Sequence, residues 1–237
     1  MKLYAYCLVE DLDPFDATTR GISGAAVRAL QIDELAVLVS DFNADSVAVT
    51  RENALDHAAV VRSVLDRTTP LPFRFGTLVT EQQLRSYISA RKPALQTRFA
   101  HVRGCIEMSV KIIREVSTDN EAPKHDEITS GTSFLEEKRR ALLGSEQKAT
   151  EATELSTWLH EQVEGLTRDE RVVVRPSEKL VLAAAHLVER DKIPQYKEKL
   201  AGARKNRTEL HFLFSGPWPP YSFANIELEF KTQFGVS

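Results

Sequence analysis

Cysteine and long hydrophobic runs are scarce in this sequence, and each shortage excludes a class of protein. Only Cys7 and Cys105 occur among the 237 residues, too few for a disulfide scaffold, so we expect two reduced thiols. The longest apolar runs fall well short of the roughly 20 residues that a membrane-spanning helix needs. The apolar run after Lys2 soon meets Glu10 and Asp11, which is not the pattern of a signal peptide. These features predict a cytoplasmic protein without a membrane partner.

Motifs of catalysis are also missing from the sequence. The six histidines lack the spacing of a helical zinc site, and no cysteine pair accompanies them. Gly21 and Gly24 are not followed by the Lys-Ser/Thr of a phosphate loop, and no Gly-x-Ser-x-Gly elbow is present. Glu227 and Glu229 share a strand face on which alternation predicts ordinary exposed charges. We therefore predict that the protein is not an enzyme and holds no metal or other cofactor.

What is present is the composition of a soluble globular protein. Hydrophobic residues make up 42% and charged residues 27% of a chain long enough for one large domain or two small ones. The formal net charge is −3, which does not favour nucleic acid or an anionic membrane as a partner.

Periodicity in the first half predicts an α+β layer. Residues 2–9 carry apolar side chains on both faces, as a covered central strand does. Thr80 and Gln83 form a capping box, and Pro93 is expected to kink or split the helix that follows. The strand 105–113 alternates, with Glu107 on its outward side. The other expected elements are a hairpin of 25–30 and 34–40, a helix over 51–65 with an apolar stripe of Ala54, Leu55, Ala58, Val61, Val64 and Leu65, and a strand over 70–79.

The second half is predicted to repeat this class of structure after a polar boundary over 117–131. A long helical element over 133–166 opens it, and its polar middle, 144–154, either projects into solvent, which we favour, or breaks at Gly144. We predict two α+β domains, 1–117 and 118–237, each a ferredoxin-like or modified ferredoxin-like sandwich. Whether the strand 105–113 is shared between them is left open. The remaining expected elements are strands 171–175 and 179–188, helix 191–203, strand 210–214 and a final strand 226–230.

The least ordinary stretch is Ser215–Phe223, which holds three prolines, a glycine and three aromatic residues. We call it the Pro-Trp corner. Because proline fixes φ and lacks a backbone donor, we expect this stretch to lie outside any strand or helix. It is either a plug over the edge of a core or a docking surface for a partner. The usual burial of large aromatic side chains favours the plug.

A second notable segment, residues 71–77, has the sequence Leu-Pro-Phe-Arg-Phe-Gly-Thr. Phe73 and Phe75 fall on one strand face, where a core position is favoured. The segment also loosely resembles the strand on which RNA-recognition modules stack bases, so nucleic-acid binding through Phe73 and Phe75 is the alternative function. Arg74, between them, is either exposed or paired with a carboxylate.

A basic run, Lys138-Arg139-Arg140, lies in the long helical element. It is either a solvated helix face paired with Glu136 and Glu137 or a docking patch for an acidic partner surface. The sequence alone favours the solvated face.

Several of these segments together resemble the gas vesicle protein F/L family. The Pro-Trp corner near the C-terminus resembles that family's closing motif, and residues 72–76 resemble its Pro-Phe-Arg-Phe-Gly segment. The opening Leu-Tyr-Ala-Tyr strand and the run Phe134–Arg140 complete the match, in the same order along nearly the whole chain. Within the family we favour the F branch.

The resemblance implies an accessory or minor structural protein of the gas vesicle, located in the cytoplasm and at the vesicle. Its expected partners are the small hydrophobic major shell protein, whose aggregation it would limit and whose assembly it would help to begin, and other accessory proteins. For the basic run, the resemblance makes a docking patch nearly as well supported as a solvated helix face. The candidate protein-binding residues are Trp218, Tyr221, Lys138, Arg139, Arg140 and Arg74.

Overall fold

The computed structural model describes residues 2–10, 19–114, 149–173, 180–208, 210–224 and 226. Its contacts divide the chain into two compact units. Unit 1 comprises Met1–Glu107 and Pro217–Ser237, and unit 2 comprises Met108–Gly216. The sequence placed the whole of 118–237 in the second domain, whereas the contacts return the chain to unit 1 after residue 216.

The sheet of unit 1 is built around its first strand, β1 (Lys2–Val9). Every residue of β1 after Lys2 is buried, as its apolar side chains on both faces predict. β1 pairs antiparallel with β3 (Leu35–Phe42), which pairs in turn with β2 (Val27–Ile32) in the expected hairpin. The predicted strand over 70–79 is two short strands, β4 (Leu71–Pro72) and β5 (Leu78–Val79), and both pair with β1. The order β2-β3-β1-β4 results, with β5 also on β1.

Two helices belong to unit 1. α1 spans Arg51–Ser63 and buries His57, Val60 and Val61, whereas Leu55, predicted to be on the apolar stripe, is 58% exposed. The predicted stripe is confirmed for Val61, Val64 and Leu65, which are buried, and wrong for Leu55, while His57 takes a core position that the stripe did not include. α2 spans Glu81–Val102, and the predicted capping box of Thr80 and Gln83 is confirmed in both of its hydrogen bonds. The split predicted at Pro93 is wrong, since α2 runs through it.

Unit 2 contains most of a four-stranded sheet in the order β7-β8-β6-β9. Its strands are β6 (Cys105–Arg114), β7 (Thr167–Val173), β8 (Leu180–Glu189) and β9 (Leu210–Trp218), and β7 pairs antiparallel with β8. The helices are α3, described over 149–163, and α4 (Ile193–Lys205). Both sheets thus place their strands in the spatial order second, third, first, fourth, where β4 counts as fourth in unit 1.

Helix α3 does not project over its described part. An apolar side chain recurs every three or four residues, so the helix presents a continuous stripe to the core. The expectation of a projecting polar middle is wrong for residues 149–154, while 133–148 lie outside the described residues. The buried side chains of the stripe are Ala152, Leu155, Leu159 and Val163.

Strand β9 extends further than the sequence predicted. It continues from Leu210 through Pro217 to Trp218, so the expectation that the Pro-Trp corner lies outside any strand is wrong. β9 stands at the end of its sheet's strand order, where a proline without an N–H group is tolerated. A short helix, α5 (Tyr221–Ala224), follows directly after Pro219 and Pro220. Of the predicted final strand 226–230, only Ile226 lies within the described residues, and it is buried.

Candidate functional site

The Pro-Trp corner divides into buried and exposed side chains. Pro219, Pro220 and Phe223 are buried, and Phe223 is only 2% exposed. Trp218 and Tyr221 are 37% and 42% exposed. The first three residues form the plug that the sequence favoured, and the other two leave aromatic surface accessible. One short segment therefore contains both a buried plug and exposed aromatic side chains, and the docking role stays a prediction.

Hydrogen bonds hold α5 at both of its ends. At its start, the carboxylate of Glu107 accepts from the backbone N–H of Ser222 at 2.7 Å and from its hydroxyl at 2.8 Å. At its end, Arg98 Nη1 donates to the carbonyl oxygen of Ala224 at 3.2 Å. A negative group at the start of a helix and a positive group at its end both suit the orientation of its peptide dipoles. No sequence pattern indicated either contact, and the prediction that Glu107 points outward is wrong, since this side chain is 7% exposed.

The exposed aromatic residues of the corner contact other side chains of unit 1. The guanidinium carbon of Arg62 lies 5.7 Å from the centroid of the Trp218 ring, a cation–π distance. The ring of Tyr221 lies 6.5 Å from the imidazole of His57. Burial of its hydroxyl, followed by the nearby Cys7 and Glu107, raises the pKa of Tyr221. The Tyr221 hydroxyl is therefore protonated and its side chain is uncharged at physiological pH.

Beneath Tyr221, a buried aromatic cluster connects the corner with the segment 71–77. His57 Nδ1 lies 2.9 Å from Tyr4 Oη, which accepts the backbone N–H of Gly76 at 3.1 Å. The rings of His57 and Phe75 are 5.9 Å apart in an edge contact. Burial lowers the pKa of His57 to about 4, only partly opposed by the backbone of Phe73, so the imidazole is neutral. The cluster is a packed interior with neutral polar groups.

The segment 71–77 does not present a base-stacking surface. Phe73 is 1% exposed, and Phe75 packs against the core cluster of unit 1. Core positions were favoured for both rings, and the alternative function of nucleic-acid binding has no platform here. Arg74 is exposed and stands in a turn, where its carbonyl oxygen accepts from Thr77 N and Oγ1 at 3.3 Å and 2.6 Å.

The candidate residues therefore fall into three groups. Trp218 and Tyr221 are neighbours on the Pro-Trp corner, and Arg74 is exposed elsewhere in unit 1. The basic run Lys138-Arg139-Arg140 lies outside the described residues. Within the described part of the chain, no three His, Cys, Asp or Glu side chains are grouped to hold a metal ion. None of the described helices combines the length and the apolar character needed to cross a membrane.

The fold and the site define a two-unit α+β protein whose distinguishing feature is an anchored aromatic corner. The family model described as Gas vesicle synthesis protein GvpL/GvpF matches residues 2–225. The chain belongs to this family.

Named relatives come from both branches of the family. Gas vesicle protein L2 of Halobacterium salinarum is 27% identical over 93% of this chain and 90% of its own length. Gas vesicle protein F1 of the same organism is 22% identical over 99% and 98%, and gas vesicle protein L of a Streptomyces species is 28% identical over 95% and 94%. Assignment to the F branch stays a prediction.

Solved structures show the same fold. The crystal structure of GvpF from Microcystis aeruginosa matches with a TM-score of 0.78 at 18% identity, over 95% of this chain and 99% of that one. GvpF from Anabaena sp. PCC7120 matches with a TM-score of 0.76 at 20% identity and the same coverage. The mixed helix-and-sheet architecture predicted from the sequence is confirmed.

Proposed function

We propose that this protein is an accessory or minor structural protein of the gas vesicle that binds the major hydrophobic shell protein. In this role it limits aggregation of the shell protein and helps to begin assembly, together with other accessory proteins, in the cytoplasm and at the vesicle. Membership of the family supports the connection with gas vesicles.

The observation that carries the binding role is the exposure of Trp218 and Tyr221 on an anchored support. Both side chains project from a segment that Phe223 and the Glu107–Ser222 hydrogen bonds hold in place. Aromatic side chains on a rigid support contribute contact area without a large ordering cost on binding. Such a surface suits an apolar partner.

The role also has a physical logic. A subunit that assembles through apolar surfaces is prone to aggregate until it is placed, and a binder that covers those surfaces prevents this. Covering a surface needs neither a catalytic group nor ATP, so the proposed role requires no enzymatic activity and no cofactor. Arg74 and the basic run Lys138-Arg139-Arg140 are proposed as secondary contacts.

We further infer that unit 2 is ferredoxin-like and that unit 1 is a modified version. The described elements of unit 2 follow the order strand, helix, strand, strand, helix, strand, with the sheet order β7-β8-β6-β9. Unit 1 has the same spatial strand order. This shared order supports the inference.

The test is co-expression with the major shell protein, followed by pull-down and by measurement of shell protein in the soluble fraction. Wild type should capture the shell protein and increase its solubility. The double variant Trp218→Ala/Tyr221→Ala should lose both effects, because it removes the exposed aromatic surface. Trp218→Phe/Tyr221→Phe should keep most of the effect, since it preserves aromatic area.

A matched control is Val49→Ala, which truncates another exposed apolar side chain of unit 1, 77% exposed. It should leave capture unchanged. Thermal unfolding of each variant separates binding from folding. If the double alanine variant unfolds, or folds normally and still captures the shell protein, the corner is not the binding surface.

A further inference from the structure

Unit 2 has a groove between α4 and β9 that the proposed function does not use. Its volume is about 830 Å³, within the range of roughly 300–1,000 Å³ common for ligand sites. Met108, Leu200 and Leu210 are buried side chains that line it, and Phe214, which is 37% exposed, adds an accessible apolar wall. The groove is thus apolar over a large part of its lining.

The rim of the groove is cationic. Lys197 and Arg204 are exposed residues of α4, seven positions apart, and therefore lie on the same side of the helix. Lys205 also lines the groove, and no described Asp or Glu does.

Arg207, a further cation of the groove lining, also contacts groups outside the groove. Its guanidinium carbon lies 5.3 Å from the centroid of the Trp158 ring, and it also borders a smaller cavity together with Glu151 and Glu154. Lys197 and Arg204 therefore supply the positive charge of the rim on which a partner would be held.

We propose that this groove binds a segment of a partner protein that carries both acidic and apolar side chains. Apolar side chains of the segment fill the space over Leu200 and Phe214, and its carboxylates meet Lys197 and Arg204. The inference deepens the proposed function by giving the protein a second contact, in unit 2, for a partner of defined chemistry. The groove is formed by residues of unit 2, whereas Trp218 and Tyr221 belong to unit 1.

The lining favours a peptide over nucleic acid. Single-stranded nucleic acid is held by accessible aromatic rings on which successive bases stack. Of the described Phe, Tyr and Trp residues that line the groove, only Phe214 presents an accessible ring, because Tyr196 is 1% exposed, and a single ring does not stack successive bases. Aliphatic side chains such as Met108 and Leu200 suit an apolar side chain of a peptide.

The test is fluorescence anisotropy of the full chain with short labelled peptides. One probe alternates Leu with Glu, a second alternates Ser with Glu, and a third alternates Leu with Lys. Only the Leu-Glu probe should bind, and its affinity should fall as salt is raised, because charge pairs at an open groove are screened.

Variants locate the site. Lys197→Glu and Arg204→Glu should each weaken the Leu-Glu probe about fivefold or more by adding repulsion, and Phe214→Ser should weaken it by removing the apolar wall. Lys199→Glu makes the same charge change on α4 outside the groove lining and should alter affinity less than about twofold. Thermal unfolding of each variant confirms that the fold is retained.

Several outcomes would overturn the proposal. They are no binding of the Leu-Glu probe, equal binding of the Ser-Glu probe, or an equal loss in Lys199→Glu. Tighter binding of a single-stranded oligonucleotide, lost in Arg204→Glu, would assign the groove to nucleic acid instead. The shell-protein capture assay is independent: loss of capture with intact peptide binding contradicts only the proposed function, and the reverse result contradicts only this inference.

Discussion

The carboxylate of Glu107 lies 2.7 Å from the backbone nitrogen of Ser222, although the two residues are 115 positions apart. Glu107 belongs to β6, and Ser222 is the second residue of α5. A helix as short as α5 leaves its first N–H groups without partners of its own, and the buried carboxylate accepts one of them. This pair joins the strand leaving unit 1 to the segment that returns to it.

Replacing Glu107 should destabilise the fold. Glu107→Ala leaves the N–H of Ser222 without its acceptor and should lower the free energy of unfolding by about 1–3 kcal/mol. Glu107→Gln keeps one acceptor oxygen and should cost less. Urea unfolding measures both, with Lys111→Ala as the control, because Lys111 is an exposed residue of the same strand. A cost for Glu107→Ala no larger than that control would contradict the structural role.

Stability should fall on mild acidification because each unit buries a neutral histidine. His57 and His186 have pKa values of about 4, below the ordinary 6.5, since burial disfavours the charged ring. Between those values the unfolded chain binds protons that the native state does not, so stability is complete above pH 6.5 and is lost towards pH 4. The loss is at most about 3 kcal/mol per histidine.

Urea unfolding at about pH 7 and about pH 5 measures this slope. His57→Gln removes one of the two groups and should flatten it. His160 works in the opposite direction, since Glu170 raises its pKa, but it is exposed and strongly screened. A free energy of unfolding that does not change between the two pH values would rule out the buried neutral state.

Two glycine substitutions should change stability in opposite directions. A Cβ at Gly21 would lie 1.9 Å from Tyr6 Oη. This hydroxyl forms hydrogen bonds of 2.9 Å with Ile22 N and with Ser40 Oγ. Gly21→Ala should therefore cost about 1–3 kcal/mol. Gly202 lies inside α4 with open space around its Cβ position, so Gly202→Ala should stabilise by about 0.5–1 kcal/mol. The melting temperature should fall in Gly21→Ala and rise in Gly202→Ala relative to wild type. A shift of both melting temperatures in the same direction would contradict the prediction.

Neighbouring residues of the segment 71–77 should differ sharply in their effect on stability. Phe73→Ala removes a ring that is 1% exposed and should cost about 3–5 kcal/mol. Arg74→Ala removes an exposed side chain and should change stability by about 0.5 kcal/mol or less. Denaturant midpoints compare the two. Comparable effects would mean that Arg74 has a structural role and is a poor candidate for partner binding.

Local patterns were sufficient where the interaction itself is local. The burial of β1 on both faces, the hairpin of β2 and β3, and the capping box of Thr80 and Gln83 were all predicted from residues close in sequence, and all are confirmed. The alternation of β6 correctly predicted that Ile106, Met108, Val110 and Ile112 are buried.

The same patterns failed where a distant residue decides. Glu107 was assigned to solvent because no nearby residue indicates that Ser222 returns to it. His57 was overlooked as a core residue because its burial depends on Tyr4, 53 positions away. Pro217 was excluded from a strand because the sequence does not reveal which strand lies at the end of a sheet. The exposure of Trp218 and Tyr221 likewise depends on where the chain returns.

The division of the chain also sets an order of events during synthesis. Domains generally fold as they leave the ribosome, starting from the N-terminal side. Unit 1 needs Pro217 and the residues after it, so it stays incomplete until all of unit 2 has been translated. Until then the carboxylate of Glu107 lacks its partner Ser222, and Phe223 has not taken its buried position. The aromatic surface of Trp218 and Tyr221 is therefore completed only after unit 2 has been translated, because both residues follow it in the chain.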